Sequence, residues 1–338
     1  MPIERTVRLA PGLLLAVGIG LAALGIARVE ERTLGHPVVE GLVLAILLGM
    51  LVRTFLAPAH RFEHGVSFAA RSVLEVAVLL LGASVDLPLL LRAGPALAVG
   101  IVVLVVVGIA ASYAIGRLMG LPPTLSVLVA CGNAICGNSA IAAIAPVIRA
   151  DKDHVASAIA FTAIFGVAVV IGLPFLIGPL GLNHYQYGVL AGLTVYAVPQ
   201  VLAAAFPVSV LSGQVGTLVK LMRVLMLGPV VLFFAIRHRG EHGGADSRFR
   251  ITNFVPWFIV GFLVLAGLRS AGVVPPPVAG VLKVASTWLT IVAMAGLGLG
   301  VDLRALRSVG RPVIITVTLS LLLLIVLAVT LIHALAIG

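Results

Sequence analysis

Along most of this chain, apolar residues follow one another for about 20 positions at a time. They show neither the alternation of a half-buried strand nor the one-sided stripe of a surface helix. About 20 such residues cross the ~30 Å hydrocarbon layer of a bilayer as a helix. About eleven runs qualify, near 12–28, 36–56, 66–87, 95–118, 123–149, 153–178, 185–206, 213–236, 251–269, 281–302 and 311–337. The connections are short, so the pattern predicts one all-α polytopic membrane domain over 1–338. The first run follows Arg5 and Arg8 like a signal peptide, but "LLLAVGIGLAALGIA" lacks a small-x-small cleavage site before the next run. It reads as a retained extra span within 1–35. The longest polar piece, "RHRGEHGGADSRFR" (237–250), reads as a solvated loop.

Composition agrees with this pattern. Hydrophobic residues make up 61% and charged residues 10%, with a mean hydropathy of +1.23. Soluble domains are nearer half apolar and a quarter charged. The formal charge of +10 would suit a nucleic-acid binder, but the basic residues lie in short connections rather than along one stripe. That placement sets topology instead, because cytoplasmic connections collect Lys and Arg. Arg53, Arg61, Arg71, Arg117, the cluster Arg237, Arg239, Arg248 and Arg250, and Arg304, Arg307 and Arg311 all fall on one side. Eleven spans then give a cytoplasmic N-terminus and a periplasmic C-terminus. Cys131 and Cys136 form neither a disulfide framework nor a zinc site at this spacing and read as small packing residues.

Two stretches interrupt the oil. The first is "VACGNAICGNSAIAAIAP" (129–146). Glycine costs up to ~1 kcal/mol in a helix relative to alanine, and Asn and Ser compete for the backbone with their own side chains. Placed together mid-span, Gly132, Asn133, Gly137, Asn138 and Ser139 predict a break around 132–139, with a second half-helix starting near Asn138 or Ser139. Irregular backbone at membrane depth survives only inside protein or beside a wet cavity. The positive end of the second half-helix suits an anion. The alternative is a continuous helix whose glycines and Asn residues pack against neighbours. The second stretch is "GLTVYAVPQVLAAAFPV" (192–208), where Pro199 removes a backbone donor and Gln200 follows it. In the next run, Lys220 and Arg223 sit among apolar residues. Such charges cost at least ~2.5 kcal/mol each on insertion scales and usually face the bundle interior, although snorkelling to the interface is the rival reading. Arg71 and Glu75, spaced i, i+4, read as an ion pair near the inner interface or, more sharply, make Glu75 a proton carrier.

A repeat is also visible. "LGASVDLPLLLRAG" (81–94) aligns without gaps to "LGLGVDLRALRSVG" (297–310), with seven of fourteen positions identical, including Asp86 and Asp302. The topology puts one copy at an outer span end and the other at an inner one, as in the inverted repeats of secondary transporters. The repeat-like units run over about 36–178 and 185–338. No zinc-protease, phosphate-loop or nucleophile-elbow motif occurs in the chain, so neither an enzyme nor ATP-driven transport within it is expected.

The stretches "LLLGASVDL", "VACGNAICGNSAIAAIAPVI", "PQVLAAA" and "TLVKLMRVLMLGPVVL" resemble the YeiH-like sulfate exporter family of bacterial inner-membrane proteins, from the second span to the end. The family's Cys-Gly-x-Ser-Ala-Ile-Ala-Ala motif is matched by Cys136 to Ala143, and its Lys-x-x-Arg pair by Lys220 and Arg223. A His often stands in the family where this chain has Tyr196 or a near neighbour. More distantly, 78–178 resembles half of a bile-acid–sodium-symporter-like unit. These resemblances imply a cation/proton-antiporter-like architecture with two crossing discontinuous helices and elevator motion. They also imply a small anion as cargo, such as sulfate, a sulfonate or a carboxylate. Gly132, Asn133, Gly137, Asn138, Ser139, Gln200, Lys220 and Arg223 are the expected substrate site. No metal or cofactor is expected beyond a coupling ion, H⁺ or Na⁺. The expected partners are the cargo, the lipid bilayer and a second copy of the chain. The rival readings are a Na⁺/H⁺-type cation antiporter and a non-transporting sensor or assembly subunit.

Overall fold

The computed structural model describes residues 2–34, 41–56, 58–84, 94–238, 257–302, 304 and 310–335. Among these the chain is all helical, with no strand. The elements are α1 (Pro2–Leu34), α2 (Gly41–Leu56), α3 (His60–Ser84), α4 (Gly94–Leu118), α5 (Pro123–Cys136) and α6 (Asn138–Ile144). They continue with α7 (Lys152–Leu180), α8 (His184–Thr194), α9 (Val198–Ala205), α10 (Val210–Arg237), α11 (Trp257–Ser270), α12 (Pro276–Leu299) and α13 (Arg311–Ala334).

Each apolar run seen in the sequence meets helix. Seven helical stretches are long and apolar enough to cross a membrane. The runs at 36–56 and 251–269 begin outside the described residues, which hold Gly41–Leu56 and Trp257–Ser270 of them, while the runs at 123–149 and 185–206 are interrupted. Large apolar side chains stand exposed along these helices, including Val99, Val103 and Val106 on α4 and Phe175 on α7. That surface suits lipid tails rather than water. Asp86, Arg92 and most of the predicted polar loop (239–250) lie outside the described residues.

The chain divides into two compact units. Unit 1 comprises Met1–Leu89 and Trp257–Arg304; unit 2 comprises Leu90–Pro256 and Ala305–Gly338. Unit 1 holds α1, α2, α3, α11 and α12, and its core is close-packed helix on helix. A Cβ added to Gly298 of α12 would lie 2.2 Å from Ile46 O of α2, and one on Gly49 would lie 2.5 Å from Ala295 O. Only glycine permits so close an approach of backbones. Ser286 Oγ donates to Ala77 O at 2.7 Å and ties α12 to α3. Glu75 is held by Arg71 at 3.8 Å and accepts from Trp257 Nε1 at 2.9 Å. Its partner Arg71 is largely exposed, which matches the ion-pair reading of the two residues. Unit 2 holds α4 to α10 and α13. It contains every residue of the predicted site.

Candidate functional site: two broken helices and two buried cations

Helix α5 widens before it stops. Residues Gly132 to Cys136 form a π turn, closed by Gly137 N donating to Gly132 O at 2.8 Å. Gly137 then takes φ 64° and ψ −125°, a conformation that strains any residue with a Cβ, and the chain re-enters helix at Asn138. The second break is of another kind. Helix α8 ends at Thr194, Val195 and Ala197 are extended, and α9 begins at Val198. Pro199 therefore stands in the first turn of a new helix, where its missing N–H costs nothing. It does not kink a continuous one.

Each break leaves backbone carbonyls without helical partners. Two side chains from α10 fill them. Lys220 Nζ donates to Ile135 O at 2.5 Å and to Val195 O at 2.7 Å. One turn further along, Arg223 donates from Nε to Ala134 O at 3.1 Å and from Nη1 to Gly192 O at 2.9 Å. Its Nη2 donates to Asn133 O at 3.2 Å and also to Ala134 O. Each cation thus bridges both breaks, and the i, i+3 spacing stacks them as two rungs. Both side chains are 0% exposed, so neither snorkels to an interface. Ion pairs among the described residues include Arg53–Glu63, His60–Glu63, Arg71–Glu75 and His154–Asp151, and none of these involves Lys220 or Arg223.

The other predicted site residues separate into two groups. Gly132, Asn133 and Gln200 are buried, whereas Asn138 and Ser139 are exposed at the start of α6. Asn133 Nδ2 reaches Ser112 Oγ on α4 at 3.5 Å, and its Oδ1 has no partner. Gln200 Oε1 accepts from Ala197 N at 3.1 Å and caps α9. Its amide head packs so closely on α7 that a Cβ at Gly166 would fall 2.0 Å from Gln200 Nε2. Thr162 on α7 bonds Asn138 Oδ1 and lies 2.9 Å from Ile159 O.

Sequence reasoning gave no site role to Thr162, Ser112 or Tyr196. Tyr196 lies between the two halves of the second break, fully buried, with its hydroxyl unpartnered. Its Cβ would stand 3.3 Å from a Cβ on Gly137, and its ring meets Phe161 edge-on at 6.2 Å. The available signal was a lone tyrosine three residues before a proline in an apolar run. A cavity of about 140 Å³ elsewhere in unit 2 is apolar, lined by Leu97, Ala98, Tyr185, Leu218 and Met222, and includes none of these residues. No group of three or more potential metal-ligating side chains occurs among the described residues.

A protein-family model described as Conserved hypothetical protein 698 matches residues 11–317. A UPF0324 membrane protein of Bradyrhizobium diazoefficiens is 51% identical over 98% of this chain and 94% of its own length. A UPF0324 membrane protein of Brucella melitensis is also 51% identical, over 100% of this chain and 94% of its own. A more distant UPF0324 membrane protein, from Bacillus cereus, is 34% identical over 94% of this chain and 91% of its own.

Proposed function

This chain belongs to the Conserved hypothetical protein 698 family, and from its apolar helices, two helix breaks and two buried cations we propose that it is a secondary transporter of a small anion in the bacterial inner membrane. The names of these relatives say membrane protein and nothing of cargo. The cargo is therefore argued from charge.

The observation that carries the reading is the burial of Lys220 and Arg223 without a carboxylate partner among the described residues. The carbonyl ends of α5 and α8 supply about half a negative charge each. Those ends offset about one of the two positive charges, and an anion brought to the breaks would offset the other. Asn138 and Ser139 supply neutral hydrogen bonds at the exposed start of α6, with buried Thr162 of α7 holding the Asn138 amide, which fits a tetrahedral or carboxylate oxyanion. Sulfate, an organic sulfonate and a carboxylate all meet that description. A site for a transported cation needs the same carbonyls open, and here α10 already fills them. That argument favours the anion over the cation antiporter.

In this account Lys220, Arg223 and Gln200 act one layer behind the cargo. The first two set the charge and hold the breaks together, while Gln200 caps α9. Asn138 and Ser139 meet the cargo, Thr162 orients Asn138, and the Gly132–Gly137 backbone shapes the place where it sits. We take all eleven apolar segments to cross, with the N-terminus cytoplasmic and the C-terminus periplasmic. The copies of the span-end motif around Asp86 and Asp302 mark inverted halves, each compact unit drawing on both. Unit 2 carries the cargo in an elevator-type movement, the chain works as a homodimer, and the anion is carried unchanged.

A ligand panel read by thermal shift on purified protein tests this. Sulfate, taurine and small carboxylates are compared with chloride at constant ionic strength, each in sodium and in N-methylglucamine buffers. Stabilisation by at least one oxyanion is expected, and its loss in Ser139→Ala would locate the effect. Stabilisation by sodium with indifference to every anion would overturn the reading.

A further inference from the structure

We propose that the Lys220 ammonium is a resident cation: it fills a two-carbonyl cradle between the breaks that a small monovalent ion would otherwise occupy, and so makes the protein independent of sodium. The inference rests on the membrane-embedded reading of unit 2 but not on the nature of the cargo, so failure of anion binding would leave it standing.

The cradle is built from two separate helices. Ile135 O comes from the π turn that ends α5, and Val195 O from the extended residue that follows α8. Both oxygens are main-chain carbonyls at the negative ends of helices, the ligand type with which proteins replace an alkali ion's hydration shell. Their distances to Nζ, 2.5 and 2.7 Å, also suit direct carbonyl contact with an alkali cation. Lys220 reaches them along a wholly buried stem. Arg223 cannot perform this duty, because its planar fork is already spread over Asn133 O, Ala134 O and Gly192 O one turn away. An ammonium is a compact point charge on a flexible stem, the side-chain group closest in size to a bound alkali ion.

Two further observations fit. Among the described residues no carboxylate pairs with Lys220, so the carbonyls are what the ammonium serves. No cluster of three acidic, His or Cys side chains is present among them that could hold a metal ion in its place. A tethered cation also contributes no concentration dependence, since it cannot leave the site.

The experiment compares melting temperatures of purified wild type, Lys220→Ala, Lys220→Met and Lys220→Arg in sodium, potassium, methylammonium or N-methylglucamine chloride. Ionic strength is held constant throughout. Wild type should melt at the same temperature in all four salts. Lys220→Ala empties the cradle and should melt several degrees lower in N-methylglucamine, with methylammonium restoring much of the loss and sodium or potassium part of it. Lys220→Met fills the space with an uncharged stem and should stay low in every salt, and Lys220→Arg should lie between it and wild type. Specific stabilisation of wild type by sodium would overturn the proposal, as would a Lys220→Met protein as stable as wild type. If Lys220→Ala cannot be purified, the wild-type and Lys220→Arg salt series still decide, because a sodium effect on either contradicts a filled cradle.

Discussion

Among the described residues, two apolar helices contain a five-residue π turn, and they come to opposite ends. In α3 of unit 1, Ala69 to Val73 widen the helix, and Leu74 then continues it at φ −63° and ψ −45°. In α5 of unit 2, Gly132 to Cys136 widen it similarly, but Gly137 follows at φ 64° and the helix stops. The first turn packs on unit 1's close helix contacts, where Gly296 of α12 comes so near Ala69 that an added Cβ would lie 2.8 Å from its Cβ. The second hands its carbonyls to Lys220 and Arg223. A π turn alone is thus a local widening. Combined with a left-handed glycine and buried cations it becomes a site.

Buried polarity follows the same division. Among the described residues, the buried polar side chains of unit 1 are Thr54, Ser286 and Thr290, whereas unit 2 buries Asn133, Gln200, Lys220 and Arg223 as well as several hydroxyls. Close-packed glycines and few buried polar groups describe a rigid frame. Interrupted helices held by hydrogen bonds from buried cations to backbone carbonyls describe the part of the chain where function is expected.

Substitutions can break or sharpen this contrast. Arg223→Ala should cost most, since it orphans the carbonyls of Asn133, Ala134 and Gly192 together. Roughly 3–5 kcal/mol of stability should be lost, read as a large fall in melting temperature. Gly137→Ala comes next, at ~1–3 kcal/mol for the forbidden backbone angle. It should also reduce transport of any bound anion, because the new Cβ meets Tyr196 Cβ at 3.3 Å. Tyr196→Phe should behave oppositely. Removing a buried hydroxyl that has no partner should leave the fold as stable or more stable by about 1 kcal/mol. If the hydroxyl meets cargo, binding weakens in the same protein, and a stability gain with unchanged binding would restrict Tyr196 to packing. Arg71→Ala, within the unbroken π turn, removes only an exposed ion pair at 3.8 Å and should change stability by no more than ~0.5 kcal/mol. A large loss there would erase the distinction between the two turns.

How much of this was legible in the sequence depended on which atoms carry the structure. The first break was legible because Gly132, Asn133, Gly137, Asn138 and Ser139 advertise it, and the helix does resume at Asn138. The second break was half legible. Pro199 signalled an irregularity, but the interruption itself falls on Val195, Tyr196 and Ala197, residue types that favour extended chain without demanding it. Lys220 and Arg223 stood out as charges in an apolar run. Their partners did not, because a backbone carbonyl has no residue signature and these lie some 25 to 90 positions away. The π turn in "AARSV" was invisible for the same reason, since nothing in those side chains requires it. Exposure separated residues that sequence had grouped. Asn138 and Ser139 face outward, while Asn133 turns inward to Ser112.

The central claim is that the buried cations of unit 2 serve an anion. Counterflow in proteoliposomes tests it most directly, with labelled sulfate, taurine or a small carboxylate outside and the same unlabelled anion trapped inside. Accumulation of at least one labelled anion is expected, equal in sodium and N-methylglucamine buffers and reduced in Gly137→Ala. Sodium or proton flux through the protein with no exchange of any anion would contradict it.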